Sequence, residues 1–325
     1  CHDMTRILPG ESKGPAFRKG HIISEQDIPE LLSIGKEHIY VLDLEAGQVH
    51  EDEAARRIAS AVAGPGLTCS SVCEGRVNLL AEPGLLRVNV EALHRINSVE
   101  SVVVATMHDR MLIGSPRPVA GARVVPLIID EASVARVEEL AREGAPVLEV
   151  KPLARVKVGV VTTGSEVFHG RIKDKFGPVL RKKFRDLGSE VLDQTLVSDD
   201  PAMTRDAILA FIDRGAGMVV VTGGMSVDPD DQTPASIRAT GAEVVSYGSP
   251  TFPGAMFLLS YLHGVPVLGL PGCVMYYRAS IFDLVVPRLL AGEHVTRDDI
   301  VELGHGGFCA GCEVCHYPVC PFGKA

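Results

Sequence analysis

Met218-Val219-Val220-Val221-Thr222-Gly223-Gly224-Met225-Ser226-Val227-Asp228-Pro229-Asp230-Asp231-Gln232-Thr233-Pro234 is the stretch on which the fold turns. Its first four residues, up to Thr222, are apolar without alternation, as expected of a strand covered on both faces. Gly223-Gly224 then frees the backbone, an acidic run follows, and Thr233-Pro234 opens a helix closed by Gly241. A strand, an open loop and a helix make half of a parallel crossover, so the flanking sequence should repeat the unit.

It repeats on both sides. Residues 156–163 read as a strand, 178–187 as a helix ended by Gly188, and 191–197 as a second strand. Residues 201–214 read as a helix capped by Asp200 and stopped by Gly215; 243–247 and 265–270 are further strands, and 274–290 is one closing helix. The pattern predicts an α/β domain at 155–291: three layers, with a doubly wound, mostly parallel sheet. Ligands in such folds sit beyond the carboxyl ends of the strands.

Residues 1–150 follow a different rhythm. A short helix starts near Ser24, with Asp27 at the third position; 39–44 reads as a strand, and a helix at 51–63 stops at Gly64-Pro65-Gly66. Short strands with frequent turns follow, 102–105 and 123–129 among them, before a helix at 132–143. This predicts a mixed, β-rich α+β domain at 1–150. Residues 292–325 form a short cysteine-rich tail.

Bulk properties narrow the function. The chain has 325 residues, enough for two domains and an appendage. Aromatic residues make up 5% and Trp is absent, which leaves few platforms for stacking single-stranded nucleic acid. The formal net charge of −9 argues against nucleic acid or an anionic membrane as partner and suits recruitment of a divalent cation. No apolar run approaches the roughly 20 residues of a membrane span. The chain opens on Cys1-His2-Asp3 with no Met and no secretory pattern, so the expectation is a cytoplasmic protein whose first residues precede this sequence.

Four loops follow the strands of the α/β region. They are Thr162-Thr163-Gly164-Ser165-Glu166, Ser198-Asp199-Asp200-Pro201, the Gly223-Gly224 loop with Ser226 and Asp228, and Gly269-Leu270-Pro271-Gly272 before Cys273. Glycines let backbone amides approach a ligand, a helix start after Pro271-Gly272 favours an anion, and carboxylates on two loops can share Mg2+ with a phosphate. Singly, each has a plainer reading: a Gly-rich turn is an ordinary strand-to-helix turn, Asp200 is a helix cap, and the acidic run is a solvated loop. Their conjunction at successive strand ends describes a site for a phosphorylated small molecule. Neither a dinucleotide-binding nor a Walker-type glycine motif is present.

Thr222-Gly223-Gly224 through Asp231-Gln232-Thr233-Pro234, with Leu270-Pro271-Gly272, resembles the molybdopterin-binding domain shared by molybdopterin adenylyltransferases and molybdenum insertases. Residues 6–45, with Gly20, Asp27-Ile28 and 31–35, resemble an N-terminal segment of the insertases. The resemblance implies a pterin ligand, ATP, self-association and a molybdoenzyme client. It gives Asp199 and Asp231 the metal–nucleotide chemistry and matches Asp174 to an acidic position in the first loop.

The chain departs from the family pattern at several contact positions. Ser165 stands where insertases have Asp, Lys175-Phe176 replaces Ser-Asn, and Ala255 replaces a lysine beside Pro253-Gly254. Cys273, Val274 and Tyr276 stand where Asn-Pro and a later Ser are usual, and residues 292–325 are too few for the C-terminal β-domain expected of an insertase. Two functions are therefore expected. One is an enzyme that transfers a nucleotide or inserts molybdenum with Mg2+; the other is a carrier, sensor or maturation factor that holds the cofactor. A small-molecule kinase or other nucleotide-binding enzyme is a third, unrelated reading.

Eight cysteines complete the inventory. Cys309, Cys312, Cys315 and Cys320 are spaced C-x2-C-x2-C-x4-C with Pro321 after the last, close to the bacterial ferredoxin run, though one residue longer before the fourth. The expectation is an iron–sulfur cluster or Zn2+, with His305 or His316 as substitute ligands; disulfides or free thiols are the alternative. Cys69 and Cys73 read as core cysteines, His108-Asp109-Arg110 as a surface turn rather than a cleft lining, and Cys273 as a thiol that a helix N-terminus could acidify.

Overall fold

A computed structural model describes residues 4–8, 12–17, 21–39, 44–226, 228 and 231–324. Residues 40–43 and Gly20 lie outside the described set, so the expected strand at 39–44 and the Gly20 match do too. Met4–Leu8 and Ser12–Phe17 pair as an antiparallel ribbon. Ser24 donates to Asp27 through both its backbone N–H and its hydroxyl, and the helix Ile28–Ser33 follows.

Residues 48–151 build a β-rich core as expected. Leu67–Cys69, Arg76–Ala81, Arg117–Val124 and Val102–Thr106 form a four-stranded sheet, and Gly84–Val88 pairs with Leu148–Lys151 and Met111–Ile113 in a three-stranded one. Helices Glu51–Val62, Val90–Asn97 and Glu131–Glu143 complete this region, and their apolar side chains join one cluster with the strands. The expected strand 123–129 divides into Arg117–Val124 and Ile128–Asp130, the latter pairing with Gln48–His50.

The α/β region consists of β1 (Lys157–Thr163), α1 (Ser165–Phe168), α2 (Phe176–Asp186), β2 (Glu190–Val197), α3 (Pro201–Asp213), β3 (Met218–Thr222), α4 (Thr233–Ala239), β4 (Glu243–Tyr247), β5 (Leu258–Leu262), β6 (Val265–Leu270), α5 (Cys273–Tyr276), α6 (Ile281–Leu290) and α7 (Arg297–Glu302). The sheet order is β2-β1-β3-β6-β5-β4. The first four are mutually parallel, and β5 and β4 are antiparallel additions at one edge. Strand alternation divides the core. Val158, Val160, Met218 and Val220 pack with α2 and α6, whereas Val161, Val219 and Val221 pack with α3 and α4. These are the three layers that the unalternating apolar strands implied.

Two expectations change. Strand β5 was not expected: it pairs with β6 across His263-Gly264, both at positive φ, the conformation that a two-residue hairpin turn demands. The single closing helix at 274–290 is instead broken, with Tyr277–Ser280 between α5 and α6. Ser280 and Asp283 form a capping box that starts α6 afresh. Lys183 on α2 clasps both the Arg278 carbonyl (3.0 Å) and the Asp283 carboxylate (2.7 Å).

Candidate functional site

Parallel register places the loops. Thr163 pairs with Val197, Thr222 with Thr162, and Leu270 with Thr222, so four strands end at one level of the sheet. The segments that follow, beginning at Gly164, Ser198, Gly223 and Pro271, therefore leave from one rim. This is the convergence on which a strand-end site depends.

Contacts tie three of these loops together. The Ser165 amide donates to Asp199 Oδ2 at 2.8 Å, and the Gly164 amide to the Val197 carbonyl at 3.2 Å. Gly223 has φ +86°, and a methyl group there would lie 2.2 Å from the Thr163 carbonyl oxygen and 2.6 Å from its hydroxyl. Only glycine permits both that conformation and that approach. Thr233 Oγ1 donates to the Gly223 carbonyl at 2.8 Å, so the start of α4 holds the loop closed. Asp231 accepts from the backbone amides of Ser226 and Asp228.

One group in this assembly lacks a partner. Thr163 is 7% exposed and its Oγ1 has no hydrogen bond among the described residues, although it lies beneath Gly223 and Gly224. Below it the polar side chains are joined: Thr222 Oγ1 to Thr162 Oγ1 (3.2 Å), Gln194 Nε2 to Thr162 Oγ1 (3.0 Å), and Gln194 Nε2 to Asp174 Oδ2 (2.8 Å). The sequence reading places Thr162 and Thr233 only as parts of their loops, and it assigns no place to Gln194. A polar Gln inside a strand was the available signal.

The expected site residues separate into groups. Thr163, Gly164, Ser165, Asp199, Thr222, Gly223 and Gly224 meet through the contacts above, whereas Ser226 and Asp231 contact each other within the third loop. Asp228 is exposed on the same loop, and the Glu166 carboxylate curls to within 3.1 Å of where a Gly164 side chain would begin. Pro271 and Gly272 follow β6, with open space around Gly272. Asp174 faces inward: it caps α2 by accepting from the Phe176 and Gly177 amides. Asp200 caps α3 through the Ala202 amide at 2.7 Å.

Three expectations are corrected. Burial pushes the Cys273 thiol up rather than down, and α5 is a single turn whose dipole cannot offset that. Cys69 and Cys73 are exposed thiols, not core residues, because their hairpin turns outward. Asp109 and Arg110 are half-buried rather than a surface turn. Asp109 accepts from Arg87 at 3.0 Å, while Arg110 reaches Asp299 (3.3 Å) and Glu302 (3.2 Å) across the seam with the α/β region.

Cys309, Cys312, Cys315 and Cys320 are all free thiols. They line one cavity of about 230 Å³ together with Tyr277, Arg278 and Phe322. Among the described residues, no group of three or more His, Cys, Asp or Glu is arranged to hold a metal ion. No helix among the described residues is long and apolar enough to cross a membrane.

Comparison with known proteins follows this geometry. Residues 159–291 match the family described as "Probable molybdopterin binding domain", and residues 1–43 match a domain of unknown function (DUF8806). A molybdenum cofactor biosynthesis bifunctional protein of Synechococcus elongatus is 33% identical over 90 residues, 28% of either chain. A CinA-like protein of Mycobacterium tuberculosis is 32% identical over 90 residues, 27% of this chain and 21% of that one. The chain thus matches less than a third of the length of these curated relatives. Among solved structures, the tungsten cofactor synthesizing protein MoaB from Pyrococcus furiosus is 25% identical with a TM-score of 0.34, covering 42% of this chain and 91% of that chain. The α/β part of this protein, residues 159–291, is a member of the probable molybdopterin-binding domain family.

Proposed function

We propose that the rim binds molybdopterin or its adenylylated form, with the phosphate facing the amides of the Gly164-Ser165 and Gly223-Gly224 loops. The observation that carries this reading is the buried, unpartnered Thr163 hydroxyl beneath the two glycines. A buried hydroxyl without a partner costs about 1–3 kcal/mol, and a ligand oxygen removes that cost. Ser226 and Asp228 border the pterin from the exposed loop; Pro271, Gly272 and Cys273 border it from the next one.

Mg2+ suits the oxygen donors of Asp199 and Asp231, which stand on separate loops, each braced by a backbone amide. The ion would supply charge neutralisation at the phosphate, and the two aspartates would orient it. These residues favour nucleotide transfer or molybdenum insertion. Cys273, Val274 and Tyr276, where the resemblance expects polar contacts, favour the simpler task of holding the cofactor for a client enzyme. Holding is the reading we adopt.

Titration calorimetry with molybdopterin tests binding, and incubation with molybdopterin, ATP and Mg2+ tests transfer. Binding without pyrophosphate release is the expected outcome. Pyrophosphate at a steady rate would move the function to adenylyl transfer, and absence of pterin binding would remove the reading altogether.

A further inference from the structure

The C-terminal segment has almost no core of its own, yet it is pinned at both ends to the α/β region. Phe252 and Phe308 form a bridge in which the Phe252 amide donates to the Gly307 carbonyl and the Cys309 amide to the Phe252 carbonyl, both at 2.8 Å. Tyr317 Oη donates to the Asp283 carbonyl at 2.7 Å, and the Gly323 amide donates to the Gly306 carbonyl at 2.9 Å. Phe322, 3% exposed, packs against Tyr317. Between these anchors the chain carries one internal backbone hydrogen bond among those described, Val319 to the His316 carbonyl. Residues 309–320 are thus wrapped around a space rather than around each other.

All four cysteines face that space, none is in a disulfide, and its described lining contains Arg278 but no carboxylate. Four ligating thiolates outweigh the charge of the metal they hold, so a lone guanidinium on the wall is the complementary charge. A single zinc ion needs its sulfurs drawn to about 2.3 Å from one point. Here the four cysteines line a cavity of about 230 Å³ instead. One water takes about 30 Å³ of liquid, so the space suits a body of several atoms.

We infer that Cys309, Cys312, Cys315 and Cys320 enclose a polynuclear iron–sulfur cluster. Each thiol loses its proton as its sulfur ligates iron, and Arg278 balances part of the resulting negative charge. Tyr277, Arg278 and Ala279 form one wall of the cavity, and the same stretch begins at Pro271-Gly272 on the pterin rim. The cluster would therefore sit at the far end of a short connection from the candidate pterin site, although its presence does not depend on that site's occupant.

The test is anaerobic purification of the full chain, followed by iron, zinc and acid-labile sulfide analysis and a visible spectrum. About two or four irons per chain with equal sulfide, and a broad visible absorption bleached by dithionite, are expected. The Cys312→Ser/Cys315→Ser double variant should lose the iron and the colour while keeping its far-ultraviolet circular dichroism. One zinc per chain without sulfide would overturn the cluster, as would a colourless wild-type protein with four reactive thiols in the tail. The wild-type measurement stands even if the double variant does not fold. Pterin calorimetry on the same preparation reads the rim separately, so either site can fail alone.

Discussion

The rim of the sheet and the seam beside α6 both gather buried or half-buried polar groups, but they satisfy them differently. At the seam, charge meets charge. Arg288, 4% exposed, donates to Glu293 (2.8 Å) and to Asp299, while Arg87 joins Asp109 (3.0 Å) to Glu293 and Arg110 joins Asp299 to Glu302. One nitrogen each of Arg288 and Arg110 makes no hydrogen bond among the described residues, although Arg110 Nε lies 3.6 Å from Asp109 and the other donors are engaged. At the rim, Asp199 and Asp231 accept from loop amides, and the sole polar atom of the Thr163 side chain makes no hydrogen bond to the described residues. A network whose members mostly pair with one another holds two parts of a molecule together. A group whose entire capacity is unused, under an open glycine loop, is suited to a partner from solution.

The contrast is broken or sharpened by substitution. Arg288→Ala should have the largest effect, about 3–5 kcal/mol of lost stability in urea unfolding, because it removes the buried cation that Glu293 and Asp299 share and leaves them only the more exposed Arg87 and Arg110. If pterin binding fell while unfolding stayed unchanged, the seam would not be the structural half of the pair. Gly223→Ala combines a disfavoured φ with a clash against Thr163 and should lose about 1–3 kcal/mol as well as pterin affinity. Unchanged affinity would mean that the loop is not part of the site.

Thr163→Val should act in opposite directions on two measurements. Thermal stability should hold or rise slightly, since an unsatisfied hydroxyl is removed, while the pterin dissociation constant should weaken about fivefold to tenfold. A parallel fall in both would make Thr163 an ordinary packing residue. The smallest effect concerns pH. Burial opposes ionisation of Asp299, but its hydrogen bonds from Arg288 and Thr296 win and hold its carboxyl down at about 2. A depressed carboxylate stabilises the fold above its unfolded pKa, so stability should fall as pH drops from about 4 to about 2. The side chain is partly exposed, so that contribution should stay under about 1 kcal/mol, and it should shrink in the Arg288→Ala background, where Thr296 still donates.

The α/β architecture was legible because each strand carried its own signature. Met218–Thr222 is apolar at every position but the last, and the helices before and after it begin with Asp200-Pro201 and Thr233-Pro234. The hairpin of β5 and β6 escaped because the surrounding rhythm led the eye to crossovers, although His263-Gly264 was a local turn signal. The break at 277–280 was hidden for a different reason. Lys183, nearly a hundred residues upstream, helps to anchor the start of α6. The Thr163-Gly164 and Gly223-Gly224 loops were found from glycine and hydroxyl content; their mutual contact was not.

By itself, the sequence determined which segments are strands and helices in the α/β region, where its loops lie, and that four cysteines crowd one short tail. Periodicity, caps and spacing are local properties, readable over a few residues. Tertiary structure alone decided that Thr163 is left without a partner while Asp174 is spent on a helix cap, that Cys273 is held as a thiol by burial, and that the four sulfurs surround one space. Those outcomes depend on which distant groups come within hydrogen-bonding or packing range, and no stretch of chain carries that information about its own neighbours.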